Sequence, residues 1–155
     1  MEPLNSPIEV GIRILVMLNA AFPSALDMNR LVLFDYSLLH SFDLGGPDSI
    51  HPAVPGRSGE MGIKRTLIEQ GLTILRRAGL IDVLANTSGI LYAASEDADG
   101  FLSSMSNEYS LKLTDRASWV TQEFDGLSDS EIRSRLAAIF SAWSEEFDVN
   151  PEGLS

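Results

Sequence analysis

The residues with the richest chemistry lie around one long loop in the first half of the chain. Two histidines and several acids occur there, within the set Asp35, Tyr36, His40, Asp43, His51, Arg57 and Glu60. Histidine and carboxylate groups are common metal ligands, so a metal-dependent hydrolase built on this loop is one alternative. However, the spacing matches no compact ligand motif such as H-x-x-x-H or H-E-x-x-H. We therefore predict that these residues contact a partner or fix the loop, and that they bind no metal.

The motifs of nucleophilic and nucleotide chemistry are missing from the sequence. Ser41, with His40 and Asp43 beside it, lies outside any G-x-S-x-G frame. The run Gly45-Gly46-Pro47 lacks the lysine that a phosphate-binding loop requires. The chain contains no cysteine, which excludes disulfides, thiolate metal sites and cysteine nucleophiles. We predict no catalytic residue, no cofactor and no enzymatic activity.

Basic residues on the third predicted helix raise the question of DNA binding. Lys64, Arg65, Arg76 and Arg77 could make a weak DNA contact, and a winged-helix transcription regulator is the first alternative function. Affinity for DNA rises steeply with the number of phosphates that the protein neutralises. The hairpin that follows this helix carries only Asp82 as a charged residue, and the whole chain has a net charge of −11. These features favour protein as the direct partner, with DNA reached only through a larger complex.

The order of the predicted elements that position these residues indicates a winged helix-turn-helix. A helix ending near Gly79 is followed by two short apolar runs that flank the turn formers Asn86–Gly89. Amphipathic or wholly apolar spacing predicts earlier helices over residues 7–21 and 28–41, a loop over residues 42–59, and a third helix over residues 60–78. We predict a mainly α (α+β) fold with a winged helix-turn-helix core, a β-hairpin wing and a C-terminal helical extension.

The charge distribution divides the chain. Residues up to Ser95 include nine acidic and seven basic side chains, whereas residues from Glu96 onward include thirteen acidic and four basic ones. We predict a winged-helix domain over residues 5–95, an acidic helical extension packed on it over residues 96–148, and a frayed tail over residues 149–155. The extension contains helical patterns from Asn107 to Phe124 and again after a capping box formed by Ser128 and Glu131.

Two further expectations concern surfaces and location. The first two helices carry more apolar surface than one small core readily absorbs, so part of it meets another chain unless the C-terminal helices cover it. The N-terminus is acidic and lacks the basic region of a signal peptide, and the longest apolar run is too short to span a bilayer. We expect a cytoplasmic protein with no membrane contact.

The first half of the chain resembles the middle component of bacterial ABC-three-component systems. Lamassu-type anti-phage systems have a small subunit that is similar to this component. The resemblance covers residues 5–83, and its most distinctive part runs from Asp35 to Glu60, with His40, Asp43, His51 and Arg57 between them. It implies a non-catalytic bridging subunit in an antiviral defence complex. The partners it implies are an SMC/Rad50-like ABC ATPase and an effector subunit, which is a nuclease or another hydrolase. Small winged-helix subunits of SMC complexes are similar in concept, so a homodimer is a further expectation.

Overall fold

A computed structural model describes residues 6–39, 46, 58–87, 89–105 and 107–146. Within these residues the chain forms six helices and one two-stranded antiparallel sheet. In chain order the elements are α1 (Pro7–Ala21), α2 (Met28–Leu39), α3 (Ser58–Arg77), β1 (Ile81–Asn86), β2 (Gly89–Ala94), α4 (Ala98–Ser104), α5 (Glu108–Glu123) and α6 (Asp129–Glu146). The fold is therefore mainly helical with a small hairpin, as the sequence predicts.

Side-chain caps begin the helices where the sequence places them. The Ser6 hydroxyl accepts a hydrogen bond from the backbone N–H of Glu9 at 3.2 Å, and Asp27 accepts one from the N–H of Arg30 at 2.8 Å. Such caps satisfy N–H groups that lack a partner within the helix. The predicted capping box of α6 is confirmed, because Ser128 and Glu131 exchange hydrogen bonds of 3.0 and 3.2 Å.

The third helix stops at a glycine and leads directly into the hairpin. Gly79 has a φ of +73°, a conformation that glycine adopts without steric cost. The N–H of Leu80 then bonds back to the carbonyl of Leu75 at 3.0 Å, which closes the helix end. The two strands pair in register from Ile81 opposite Ala94 to Asn86 opposite Gly89, so the predicted hairpin is confirmed.

One residue between the first two helices joins this sheet. The backbone N–H and C=O of Leu26 both bond to Tyr92 of β2 at 2.8 Å, forming an isolated antiparallel bridge. The link between α1 and α2 is thereby tied to the outer edge of the hairpin. Among the described strands, the opposite edge, formed by β1, has no neighbouring strand.

The C-terminal helices cover much of the apolar surface of α1 and α2. α5 packs against both of them, α3 and α4 also contact α1, and α6 contacts α2. One continuous hydrophobic core includes residues from α1, α2, α3, α5 and α6. The expectation that the excess apolar surface of α1 and α2 meets another chain is therefore wrong for most of that surface, and the alternative of coverage by the C-terminal helices is confirmed.

Several smaller differences from the sequence predictions have local causes. The helix α4 was not predicted, because its seven residues are too few to show a clear period. α3 begins at Ser58, two residues before the predicted start. Arg135 of α6 pairs with Glu123 of α5 at 3.0 Å, a link between helices that helical spacing alone does not predict. The predicted end of the second helix, at Ser41, and the tail over residues 149–155 lie outside the described residues.

The division into a domain over residues 5–95 and an extension over residues 96–148 stays a prediction. Among the described residues, no helix is long and apolar enough to cross a membrane.

Candidate functional site

Three buried charged side chains from three helices meet in the core. The carboxylate of Asp35 on α2 accepts hydrogen bonds from Arg13 on α1, with Nε at 2.9 Å from Oδ1 and Nη2 at 3.2 Å from Oδ2. The ammonium group of Lys64 on α3 donates to Oδ2 of the same carboxylate at 2.8 Å. Asp35 is fully buried, Arg13 is 1% exposed and Lys64 is 7% exposed. We call these three residues the charge cluster.

The electrostatics of the charge cluster favour its ionised state. Burial alone would raise the pKa of the Asp35 carboxyl, but the charges and hydrogen bonds of Arg13 and Lys64 outweigh that effect, and the pKa lies well below its ordinary value. Burial likewise opposes the charge on Arg13, yet Asp35 raises the pKa of that guanidinium. The phenol of Tyr109 on α5 lies beside Arg13, and burial raises its pKa. The cluster thus joins α1, α2 and α3 and also touches α5.

This geometry places three predicted site residues in the core. Asp35 is fully buried and Tyr36 is 1% exposed, so neither side chain lies on the surface of the described fold, and their predicted role, partner contact or loop fixing, stays a prediction. Asp35 ties together α1, α2 and α3. The ammonium group of Lys64 is buried and bonded to Asp35, which disfavours its predicted weak DNA contact.

The other predicted site residues divide into two groups. His40, Asp43, His51 and Arg57 lie outside the described residues, as does the side chain of Glu60, so their predicted roles stay predictions. Arg65, Arg76 and Arg77 are exposed on α3, and Arg76 and Arg77 belong to its last turn. Within the described part of the chain, no group of three or more His, Cys, Asp or Glu residues could hold a metal ion.

The end of the hairpin exposes large apolar side chains. Val83 is 39% exposed, Leu84 49% and Ile90 53%, and the neighbouring Ala85 is also exposed. We call these four residues the hairpin tip. Asp82 is the one charged residue of the two strands. Val83, Ala85 and Ile90 share one face of the hairpin and Leu84 lies on the other, so the tip exposes apolar side chains on both faces. Exposed side chains of this kind favour protein contact over phosphate binding.

The chain matches the family model described as ABC-three component (ABC-3C) system Middle Component 2 over residues 3–146. The chain belongs to this Middle Component 2 family. The matched region includes all six helices and the hairpin, so family membership covers the predicted winged-helix core as well as the acidic extension. No curated protein and no solved structure matches the chain.

Sequence reasoning missed Arg13 as the partner of Asp35 in this Middle Component 2 chain. A signal was present in α1, where Arg13 is surrounded by apolar residues on a helix that must be buried on several sides. A buried charge requires a partner of opposite sign, and Asp35 lies in a similarly apolar stretch of α2. Pairing the lone buried charges of the two helices would have identified the link, whereas the contribution of Lys64 depends on how α3 crosses them.

Proposed function

We propose that this protein is a non-catalytic scaffold subunit that bridges an SMC/Rad50-like ATPase and an effector subunit in an anti-phage defence complex. Membership of the Middle Component 2 family supports a role within a multi-component system. The hairpin tip is the observation that carries the bridging role, because it offers an apolar, uncharged contact surface. Burial of such side chains at an interface contributes roughly 25 cal/mol per Å² of apolar surface.

We also propose that the core is a winged helix. The order of α1, the one-residue strand at Leu26, α2, α3 and the hairpin is the order of that fold, and the pairing of Leu26 with Tyr92 supports it. In this arrangement α3 corresponds to the recognition helix and the hairpin to the wing. The wing differs from a DNA-reading wing in its chemistry, since it presents Val83, Leu84 and Ile90 where a DNA-binding wing presents cations.

Direct DNA recognition is less well supported than the scaffold function. With Lys64 buried, the exposed cations of α3 reduce to Arg65, Arg76 and Arg77. Arg76 and Arg77 also stabilise the negative end of the helix dipole. A few cations on a chain with a net charge of −11 give little phosphate affinity, so DNA contact is proposed only as part of the assembled complex.

A matched pair of leucine variants tests the bridging role. Leu84→Asp changes the hairpin tip, whereas Leu111→Asp changes a comparably exposed leucine on α5. The wild type and both variants are each co-expressed with the products of the neighbouring genes, among which we expect the ATPase and the effector, and the assemblies are sized by chromatography with light scattering. We expect the wild type and Leu111→Asp to enter the complex and Leu84→Asp to be lost from it.

Four outcomes contradict the proposal. The first is a wild-type chain that joins neither the ATPase nor the effector. The second is a complex that tolerates Leu84→Asp as well as it tolerates Leu111→Asp. The third is tight binding of the isolated chain to duplex DNA with a steep salt dependence, which favours the transcription regulator instead. Turnover of a substrate by the purified chain alone would contradict the non-catalytic role.

A further inference from the structure

A pocket with a volume of about 320 Å³ lies where α2, α3 and α6 meet. Its apolar lining comes from Val32 and Leu33 of α2 and from Leu136 and Ala137 of α6. Arg65 of α3 and Arg133 of α6 supply its two charges. The volume is at the small end of the range of roughly 300–1,000 Å³ that ligand pockets occupy, which suits one or two bulky side chains of a partner.

The arginines of this pocket have no counter-charge within the described residues. Neither Arg65 nor Arg133 forms an ion pair there, and no acidic side chain lines the pocket. Asp129, one helical turn before Arg133, is engaged by Arg30 instead. Nη2 of Arg65 donates to Oδ1 of Asn29 at 2.6 Å, which holds the guanidinium beside the pocket. The pocket is therefore locally basic on a protein whose net charge is −11.

We infer that this pocket docks an acidic segment of a partner protein, with a bulky apolar side chain inserted between α2 and α6 and carboxylates on Arg65 and Arg133. The inference rests on the proposed scaffold function and adds a second contact surface, formed by other residues than the hairpin tip. Charge complementarity selects the occupant, because a guanidinium forms two parallel hydrogen bonds with a carboxylate. The apolar lining favours a protein side chain over a nucleic-acid phosphate, which would gain nothing from Val32, Leu33 or Leu136.

Two adjacent alanines on α6 provide a matched steric test. Ala137 lines the pocket, whereas Ala138 is also exposed but does not line it. Ala137→Trp fills the pocket, and Ala138→Trp adds the same side chain beside it. A second pair compares charge reversal at the pocket, Arg133→Glu, with charge reversal at an exposed arginine near the end of α3, Arg77→Glu. Circular dichroism and thermal unfolding of all four variants confirm that each is folded.

The binding partners in this test are the products of the neighbouring genes, among which we expect the ATPase and the effector, each purified separately. Calorimetric titration of the wild type identifies which of them binds. We expect Ala137→Trp and Arg133→Glu to raise the dissociation constant for that component by about tenfold or more, while Ala138→Trp and Arg77→Glu change it less than about twofold. Equal effects within either pair would overturn the inference and leave the scaffold function intact, whereas a wild type that binds neither component would overturn both.

A cross-linking experiment identifies the chemistry of the occupant. Because the chain contains no cysteine, Ala138→Cys, at the exposed position beside the pocket, can be labelled at one position with a benzophenone maleimide and irradiated in the complex. We expect cross-links to a partner segment in which Asp or Glu residues flank a Leu, Ile, Met or aromatic residue. Cross-links to a basic segment, to another part of the same chain or to added duplex DNA would each overturn the inference.

Discussion

The guanidinium of Arg13 and the carboxylate of Asp35 form a two-point ion pair inside the core, with N–O distances of 2.9 and 3.2 Å. Because Lys64 shares the same carboxylate, one buried anion holds two buried cations from neighbouring helices. The cluster lies at the end of α2 and near the start of α3, which are the two helices that the long loop connects. It therefore ties together the two helices that flank the segment with the residues most distinctive of the family resemblance.

The first prediction concerns the loss of this anion. Asp35→Ala leaves Arg13 and Lys64 charged and buried without a counter-charge, which costs about 3–5 kcal/mol in the free energy of unfolding. Urea denaturation followed by circular dichroism measures the loss. Glu123→Ala is the control, because it breaks an ion pair with Arg135 in which both side chains are more than a third exposed, and it should cost less than about 1 kcal/mol.

An apolar replacement of the whole cluster distinguishes pairing from packing. The triple variant Arg13→Met, Asp35→Leu, Lys64→Met removes all three charges of the cluster and keeps similar volumes, so it should regain most of the stability that Asp35→Ala loses. A triple variant no more stable than Asp35→Ala would mean that shape, and not charge pairing, determines the cost. The comparison also keeps the test informative if Asp35→Ala does not fold.

The second prediction is a loss of stability in acid. The pKa of Asp35 is depressed in the folded protein below its ordinary value of 3.8, so in mildly acidic solution the unfolded chain binds a proton that the folded chain does not. The stabilisation is therefore fully present at neutral pH and declines as the pH falls below about 5, at a slope of at most about 1.4 kcal/mol per pH unit for one proton. Denaturation curves at pH 7, 4 and 3 measure it.

The control for the acid titration is Glu131. Its pKa is also lowered, through hydrogen bonds from the backbone and hydroxyl of Ser128, but the side chain is exposed. Glu131→Gln should therefore leave the acid slope almost unchanged, whereas Asp35→Asn should flatten it. An acid slope that survives Asp35→Asn undiminished would show that other carboxyl groups determine it.

The third prediction compares two glycines. A Cβ at Gly71 of α3 would lie 3.0 Å from the backbone N and Cα of Gly11 on α1, so Gly71→Ala forces the two helices apart and should cost about 1–3 kcal/mol. At Gly100 of α4 a Cβ meets nothing within 4 Å, and Gly100→Ala should stabilise the protein by about 0.5–1 kcal/mol through helix propensity. Thermal unfolding of both variants gives the signs, and two shifts in the same direction would contradict the assignment of Gly71 to a helix crossing.

Local signals in the sequence were sufficient to predict most elements. Caps such as Ser6 and Asp27, the stop at Gly79 and the turn Asn86–Gly89 each act over a few residues, so they identify helix and strand ends without knowledge of the tertiary structure. Gly71 inside an otherwise periodic helix is a signal of the same kind, since an interior glycine indicates close packing, and it lies against Gly11. The short helix α4 has no such signal.

Tertiary relationships account for what the sequence did not predict. Hydrophobic periodicity shows that α1 and α2 are buried, but it does not show whether α5 and α6 or another chain bury them. The burial of Lys64 depends on the angle at which α3 crosses α2, so a lysine expected on the surface instead completes the charge cluster. Similarly, the packing of three helices brings Arg65 and Arg133, which are far apart in the sequence, into the lining of one pocket.

The fourth prediction uses a tryptophan to report on the long loop. Gly46, the one residue described between 40 and 57, lies against the indole of Trp119 on α5, and a Cβ there would be 2.6 Å from Cη2 and closer still to two other ring atoms. Gly46→Ala should therefore turn the ring toward solvent and shift its fluorescence to longer wavelength, while the free energy of unfolding changes by about 1 kcal/mol or less.

The measurement is made in a Trp143→Phe background, so that Trp119 is the only tryptophan. Gly100→Ala in the same background is the control and should leave the emission maximum in place. An unshifted spectrum for Gly46→Ala would mean that Gly46 does not pack against Trp119 in solution. Another part of the protein would then have to cover the indole.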